Sequence, residues 1–245
     1  MHLTVSSMNS IALLPREKRI KAIQALSREE LTDLLFDWKH RARIEQLPPE
    51  GDWSIWLYLG GRGAGKTRSG AEYIRAQIEA GARRVALVAP TAAGARDVMV
   101  EGESGLLGIC HPSNRPTYYP STRRVVWPNG ALATLYSADE PERLRGPQHD
   151  TAWADEIGSW RYPDAWDMLM FGLRIGAKPR AVVTTTPRPT KLIRELMSRV
   201  GRDVALTRGS SYQNAPNLAP TFFEQIVKKY EGTRLGPPAC SPFIG

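Results

Sequence analysis

The sequence has 245 residues, of which 42% are hydrophobic and 24% charged, a balance typical of a globular protein with a buried core. Its formal net charge of +8 favours a polyanionic partner, because lysine and arginine side chains gain affinity when they displace phosphate counterions. The longest apolar runs are too short to cross a bilayer and the first residues lack a secretory signal pattern, so we expect a cytoplasmic protein with no membrane partner.

The N-terminal part is predicted to be a small helical appendage. Apolar residues recur with a helical period over residues 16–46, and Ser27 followed by Glu30 is a capping-box pattern that separates two helices. Two consecutive prolines and a glycine at residues 48–51 then indicate a hinge. We expect an appendage with its linker at residues 1–50, a main domain at 51–236 and a tail at 237–245.

From Trp53 onward, short apolar strands alternate with helices. Strands are predicted at residues 55–59, 84–89, 123–127, 131–136, 151–154, 181–185 and 203–207, with helices at 66–80, 91–100, 163–173, 190–200 and 221–230. Pro128, Asn129 and Gly130 predict a hairpin turn between two of the strands. Buried strands alternating with helices indicate an α/β fold, a mainly parallel sheet with helices on both faces.

The clearest motif is the phosphate-loop pattern G-x-x-x-x-G-K-[ST], which residues 60–67 match at every fixed position. The segment reads Gly60, Gly61, Arg62, Gly63, Ala64, Gly65, Lys66 and Thr67. The loop follows a predicted strand and begins a predicted helix, which is the context that phosphate binding needs. Its glycines let backbone N–H groups turn towards a nucleotide, and the helix N-terminus adds partial positive charge. Lys66 is predicted to reach the β- and γ-phosphates and Thr67 to bind Mg²⁺.

A second motif supplies the carboxylates that hydrolysis needs. The predicted strand at 151–154 ends in Asp155, expected to hold Mg²⁺ largely through its water shell, and Glu156, expected to orient and polarise the attacking water. The interval between the two motifs contains the predicted strand 84–89. This strand fits the additional-strand catalytic-glutamate (ASCE) class of P-loop NTPase. That class places a strand between its two Walker strands, which are the strand before the phosphate loop and the strand that ends in the acidic pair.

Two further groups of side chains are candidates for contact with the γ-phosphate. Thr184, Thr185 and Thr186 end a predicted strand, and ligands of open α/β sheets bind beyond the carboxyl ends of strands. Arg62 lies inside the phosphate loop and Arg145 lies eleven residues before Glu156. Either arginine is a candidate to neutralise transition-state charge, and the sequence does not distinguish them.

Together these motifs resemble the ATPase domain of phage terminase large subunits. The resemblance is carried by residues 60–72, 127–130, 143–150, 153–156 and 184–189, and extends over about residues 38–235. It implies an ATP- and Mg²⁺-dependent motor that forms a homo-oligomeric ring, works with a portal protein and a small terminase subunit, and drives double-stranded DNA into a procapsid. It also implies an intersubunit arginine finger at Arg145, a coupling motif at Thr184–Thr186 and an adenine-recognising glutamine at Gln46.

The sequence also departs from that family. Its members carry a nuclease domain after the ATPase, whereas the similarity here ends near residues 232–236, so we expect a truncated, frameshifted or split gene product without nuclease activity. A helicase-like ASCE motor is disfavoured because Asp155-Glu156 is followed by Ile157-Gly158 and not by x-[DH], and no N-K-x-D motif supports a GTPase. A non-catalytic remnant that binds nucleotide or DNA is the remaining alternative.

Overall fold

An eight-stranded sheet organises the chain in the computed structural model, which describes residues 15–217. Its strands are β1 (Ile55–Gly60), β2 (Arg84–Ala89), β3 (Thr117–Tyr119), β4 (Arg124–Val126), β5 (Leu132–Ser137), β6 (Thr151–Asp155), β7 (Arg180–Thr185) and β8 (Val204–Gly209). They lie in the order β3-β4-β5-β2-β6-β7-β1-β8. All neighbours from β5 to β8 pair in parallel, and β3 and β4 form an antiparallel edge. The predicted mainly parallel sheet is confirmed.

The strand between the two Walker strands is β7 and not the one expected. β7 pairs with β1 on one side and with β6 on the other, whereas β2 lies beyond β6, beside β5. The prediction that strand 84–89 occupies the intervening position was wrong, because the order of strands along the chain does not fix their order in a sheet. The ASCE arrangement itself is present, with a later strand in the middle.

Helices cover both faces of the sheet. They are α1 (Arg16–Gln24), α2 (Arg28–Phe36), α3 (Trp38–Arg41), α4 (Lys66–Glu79), α5 (Ala92–Gly94), which continues into a π-helical turn at Ala95–Val100, α6 (Leu106–Ile109), α7 (Asp164–Gly172) and α8 (Lys191–Ser198). The predicted helix at 221–230 and the tail at 237–245 lie outside the described residues. Within residues 15–217, no helix is both long and apolar enough to span a bilayer.

Successive side chains of β1 point to opposite faces of the sheet and so contribute to two separate hydrophobic cores. Trp56 and Tyr58 face one side, where they pack with Ile74 of α4, while Ile55 and Leu57 face the other side. Side chains from α7 and α8 complete this second core. All six residues of β1 are buried, as expected for a strand in the middle of a parallel sheet that is covered on both faces.

The N-terminal appendage has helices but little buried surface. Ser27 caps α2 through a reciprocal capping box with Glu30, with N–O distances of 3.2 and 2.9 Å. No residue of α1, α2 or α3 is buried, and Leu35 is 59% exposed. The structure adds α3 and a 3-10 turn at Ile44–Gln46 to the two expected helices. The domain boundary near residue 50 stays a prediction.

Gly70→Ala is expected to destabilise the protein, although alanine is normally favoured in helices. Gly70 lies where α4 crosses β6, and a Cβ there would lie 2.3 Å from Cε2 of Trp153, a fully buried side chain. Overpacking of this kind costs roughly 1–3 kcal/mol, more than the gain of about 1 kcal/mol in helix propensity. Chemical denaturation measures the loss of unfolding free energy.

The reciprocal change on the exposed side of the same helix provides the control. Ala76→Gly should cost about 1 kcal/mol through propensity alone. A Gly70→Ala variant as stable as the wild type, beside a destabilised Ala76→Gly variant, would show that the close approach to Trp153 is wrong.

Candidate active site

The phosphate loop, residues 60–67, joins the carboxyl end of β1 to the start of α4. Gly63 and Gly65 have φ angles of 76° and 86°, which glycine adopts without the steric strain of other residues. Lys66 is 8% exposed, and its Nζ donates to the carbonyl oxygens of Gly60 and Gly61 at 3.0 and 3.1 Å. The partly exposed Thr67 follows it in the first turn of α4.

Sheet register brings the two acidic residues to the same edge. Asp155 pairs with Thr184, and Thr185 pairs in turn with Leu59, which precedes the phosphate loop. Lys66 Nζ lies 3.6 Å from Glu156 Oε1. The predicted facing of Lys66 and the acidic pair is therefore present in the structure.

Asp155 is a buried carboxylate. It is 5% exposed, and its Oδ1 accepts a hydrogen bond of 2.6 Å from the Thr184 hydroxyl. Burial raises the pKa of Asp155 to about 6, and the negative charge of Glu156 adds to this rise, against the opposing effects of Thr184 and Lys66. A carboxylate in such surroundings gains from a bound cation.

Glu156 adopts a left-handed backbone conformation, with φ 46°, which is uncommon for a residue other than glycine. Its N–H donates to the carbonyl oxygen of Thr184 at 2.6 Å. The carboxylate accepts bonds from the backbone N–H and the hydroxyl of Thr186 at 3.3 and 3.2 Å. These bonds and the nearby Lys66 orient the Glu156 side chain.

The three threonines at the end of β7 have different side-chain contacts. The Thr184 hydroxyl donates to Asp155 and accepts from the Trp153 indole N–H at 2.7 Å. The fully buried Thr185 accepts from the N–H of Gly158 at 3.1 Å, and Thr186 donates to the Glu156 carboxylate. Each threonine thus touches β6 or the turn after it, and the hydrogen bonds to the carboxylate of Glu156 come from Thr186.

The two candidate arginines lie in different places. Arg62 is exposed on the phosphate loop. The Arg145 side chain is 64% exposed and pairs with Glu142 at 3.2 Å on its own turn. Neither arginine forms an ion pair with Asp155 or Glu156 in the part of the chain that the structure describes.

Gln46 lies directly against the phosphate loop. It is 5% exposed, and its Oε1 accepts from the backbone N–H of Arg43 at 3.3 Å. Its Nε2 would lie 2.5 Å from a Cβ built on Gly65, whose positive φ of 86° favours glycine. The structure therefore brings Gln46 to the phosphate loop from a segment nearly twenty residues before Gly65.

Sequence reasoning missed four side chains that donate to carbonyl oxygens of the phosphate loop, namely Arg43, Tyr58, Ser211 and Asn214. Ser211 and Asn214 follow β8, and the pairing of Gly60 with Gly209 brings them to the loop. No local pattern marks them. A prediction that β8 lies beside β1 would have identified this segment.

The side chains present fit a magnesium–nucleotide complex. Among residues 15–217 there is no cluster of three or more histidine, cysteine, aspartate or glutamate side chains able to hold a metal ion. Mg²⁺ in nucleotide enzymes does not need such a cluster, because phosphates and water complete its coordination. Thr67 and the buried Asp155 are the side chains suited to hold it.

A phosphate loop after β1, acidic residues at the end of β6 and an intervening β7 define a P-loop NTPase of the ASCE class. The sequence profile of the family described as "Terminase large subunit, T4likevirus-type, N-terminal" matches residues 57–236. The chain belongs to this terminase family. A comparison with curated protein sequences gives no match.

Solved structures share the fold at low sequence identity. The large terminase of a thermophilic bacteriophage, in complex with ATP-gamma-S, matches with a TM-score of 0.58 and 12% identity over 79% of this chain and 47% of that one. The large terminase ATPase domain of Thermus phage P74-26 matches with a TM-score of 0.53 and 15% identity over 93% and 95% of the two chains. The HK97 bacteriophage large terminase matches with a TM-score of 0.51 and 16% identity over 64% and 35%. The chain spans about half the length of the first of these.

Proposed function

We propose that the chain hydrolyses ATP as the motor domain of a terminase large subunit and thereby moves double-stranded DNA into a viral procapsid. The observation that carries this proposal is the 3.6 Å approach of Lys66 to Glu156, beside the buried Asp155. A cation suited to bind phosphate and a carboxylate suited to activate water thus face each other. Membership of the terminase family and a relative solved with ATP-gamma-S support the same reading.

ATP would bind along the phosphate loop with its triphosphate at the N-terminus of α4. The loop N–H groups and the helix dipole attract the phosphate charge, and Lys66 would exchange its carbonyl contacts for the β- and γ-phosphates. Thr67 and Asp155 would hold Mg²⁺, which neutralises phosphate charge. Gln46, packed against the loop, would contact the adenine.

Glu156 would hold and polarise the water that attacks the γ-phosphate. Its carboxylate is kept in place by Thr186 and faces Lys66. Phosphoryl transfer depends on positioning and on electrostatic stabilisation more than on covalent chemistry, so an oriented base next to the phosphate-binding lysine is what the reaction requires.

The end of β7 would transmit the hydrolysis event. Thr184 contacts Asp155, and Thr186 contacts Glu156, so a shift of either acid moves the strand end directly. The chain continues from Thr186 into α8, whose N-terminal end is capped by Thr190. We infer that this segment links the chemistry to the movement of DNA.

Assembly would complete the site. The exposed guanidinium of Arg145 pairs with Glu142 and not with Asp155 or Glu156, so it suits a finger that would enter a neighbouring subunit of a homo-oligomeric ring. Arg62 would act within its own loop. The net charge of +8 suits double-stranded DNA. A portal protein, a small terminase subunit and the host cytoplasm complete the proposed setting.

Phosphate release by the purified chain, measured with and without double-stranded DNA, tests this function. We expect Mg²⁺-dependent ATP hydrolysis that increases with protein concentration and on addition of DNA. Nucleotide binding without hydrolysis at any concentration, unaffected by DNA, would contradict the motor and favour a binding remnant.

A further inference from the structure

The outer side of the phosphate loop is held by side chains from two distant parts of the chain. Asn214 Nδ2 donates to the Gly63 carbonyl at 2.6 Å, and Arg43 Nη2 donates to the Ala64 carbonyl at 2.7 Å. The two side chains also bond to each other, from Arg43 Nη1 to Asn214 Oδ1 at 2.6 Å. We call this pair the loop clamp.

Hydrogen-bonding capacity fixes how the loop clamp is oriented. A guanidinium only donates, so the Asn214 oxygen must face Arg43 and the amide nitrogen must face the Gly63 carbonyl. Arg43 then uses separate nitrogens for Asn214 and Ala64, and a third for Glu45 at 2.9 Å. The arrangement uses the fixed fork of arginine, which a lysine does not provide.

Two of the carbonyls that are held from outside determine where the following N–H groups of the loop point. A planar trans peptide carries its C=O and N–H on opposite sides, so a carbonyl held outward turns the next N–H inward. Arg43 and Tyr58, at 2.7 and 3.1 Å, hold the Ala64 carbonyl and thus direct the N–H of Gly65. Ser211 does the same for Gly63 through the Arg62 carbonyl, at 2.6 Å.

We propose that Asn214 and Arg43 are positioning residues for nucleotide binding, which preorganise the phosphate loop by fixing its carbonyl groups from outside. The inference rests on the proposed function, because it concerns the affinity of the same loop for a nucleoside triphosphate. Donors that are already oriented need no reorganisation when the ligand binds, and affinity rises accordingly. The clamp also joins the segment before β1 and the segment after β8 to the loop.

Asn214→Asp is the sharpest test. The aspartate retains an acceptor for Arg43 but replaces the amide donor with an oxygen that repels the Gly63 carbonyl. We expect ATP affinity to fall by about tenfold or more, measured with a fluorescent ATP analogue on the full chain in the presence of Mg²⁺. The melting temperature without nucleotide should change little, because Asn214 and Gly63 are both partly exposed to solvent.

Two further variants keep the test decisive. Arg43→Lys keeps the positive charge but loses the branched guanidinium that bonds to Asn214 and Ala64 at once, so it should weaken ATP binding several-fold. This variant still tests the inference if Asn214→Asp fails to fold. Asn217→Ala removes a neighbouring amide whose contact is with Asn214 and not with the loop, at 3.0 Å, and should bind ATP within about twofold of wild type.

The outcomes separate the loop clamp from the proposed function. If wild-type protein binds ATP and Lys66→Ala does not, while Asn214→Asp and Arg43→Lys both bind like wild type, the clamp is wrong and the function stands. Variants that melt earlier but bind ATP normally would assign the pair a structural role and also overturn the inference. A wild-type protein that does not bind ATP at all would refute the function itself.

Discussion

Glu156→Gln is expected to reduce ATP hydrolysis by roughly 10²–10⁴-fold while nucleotide affinity stays close to wild type. Glutamine keeps the size of the side chain and the ability to accept from Thr186, but loses the negative charge that polarises water. The phosphate contacts proposed for Lys66 and the loop do not involve this carboxylate, so binding should remain. A lowered turnover number at unchanged affinity is the mark of an interaction made in the transition state.

Steady-state phosphate release and equilibrium binding of a fluorescent ATP analogue measure the two quantities separately. Glu195→Gln is the matched control, because it makes the same chemical change on the exposed side of α8. We expect it to hydrolyse ATP at the wild-type rate. Retained turnover in Glu156→Gln would move the water-activating role to another residue.

Lys66→Ala is expected to weaken ATP binding by about 100-fold or more and to abolish measurable hydrolysis. Each charge-assisted hydrogen bond contributes roughly 1.5–3 kcal/mol, and the proposed contacts reach two phosphates. The loss has a second component, because Lys66 also holds the carbonyls of Gly60 and Gly61 and so supports the start of the loop. A buried cation is removed from beside Asp155 and Glu156 at the same time.

Calorimetric titration with ATP and Mg²⁺ provides the measurement. Lys178→Ala serves as the control, because Lys178 is 53% exposed and pairs with Asp52, away from the phosphate loop. Its affinity for ATP should match that of the wild type. An unchanged affinity in Lys66→Ala would show that residues 60–67 are not the nucleotide site.

Local sequence patterns predicted the parts of the site that depend on neighbouring residues. The phosphate loop, the Ser27 capping box and the Pro128–Gly130 turn each follow from side-chain or backbone properties within a few residues, and the structure contains all three. The acids at the end of β6 are of the same kind, since a strand followed by two carboxylates is visible in the sequence.

Features that depend on the order of strands were not predictable in this way. β7 occupies the position expected for β2, because strand order is decided by packing across the whole sheet. The loop clamp is not visible in the sequence for the same reason: Arg43 and Asn214 are brought together only once β8 lies beside β1. The helical period of α1 and α2 was visible in the sequence, but it does not indicate what packs on the apolar side, and no residue of either helix is fully buried.

β7 is hydrogen-bonded along its length to both β1 and β6. The two halves of the site are therefore attached to one continuous ladder, and separating them requires breaking backbone bonds in the most buried part of the molecule. The two halves of the site therefore do not separate by a hinge motion through this sheet. In the proposed motor, a cycle of tightening and release would therefore run through side-chain rotations and the turns after the strands, with a small displacement inside this domain that would need amplification outside the sheet.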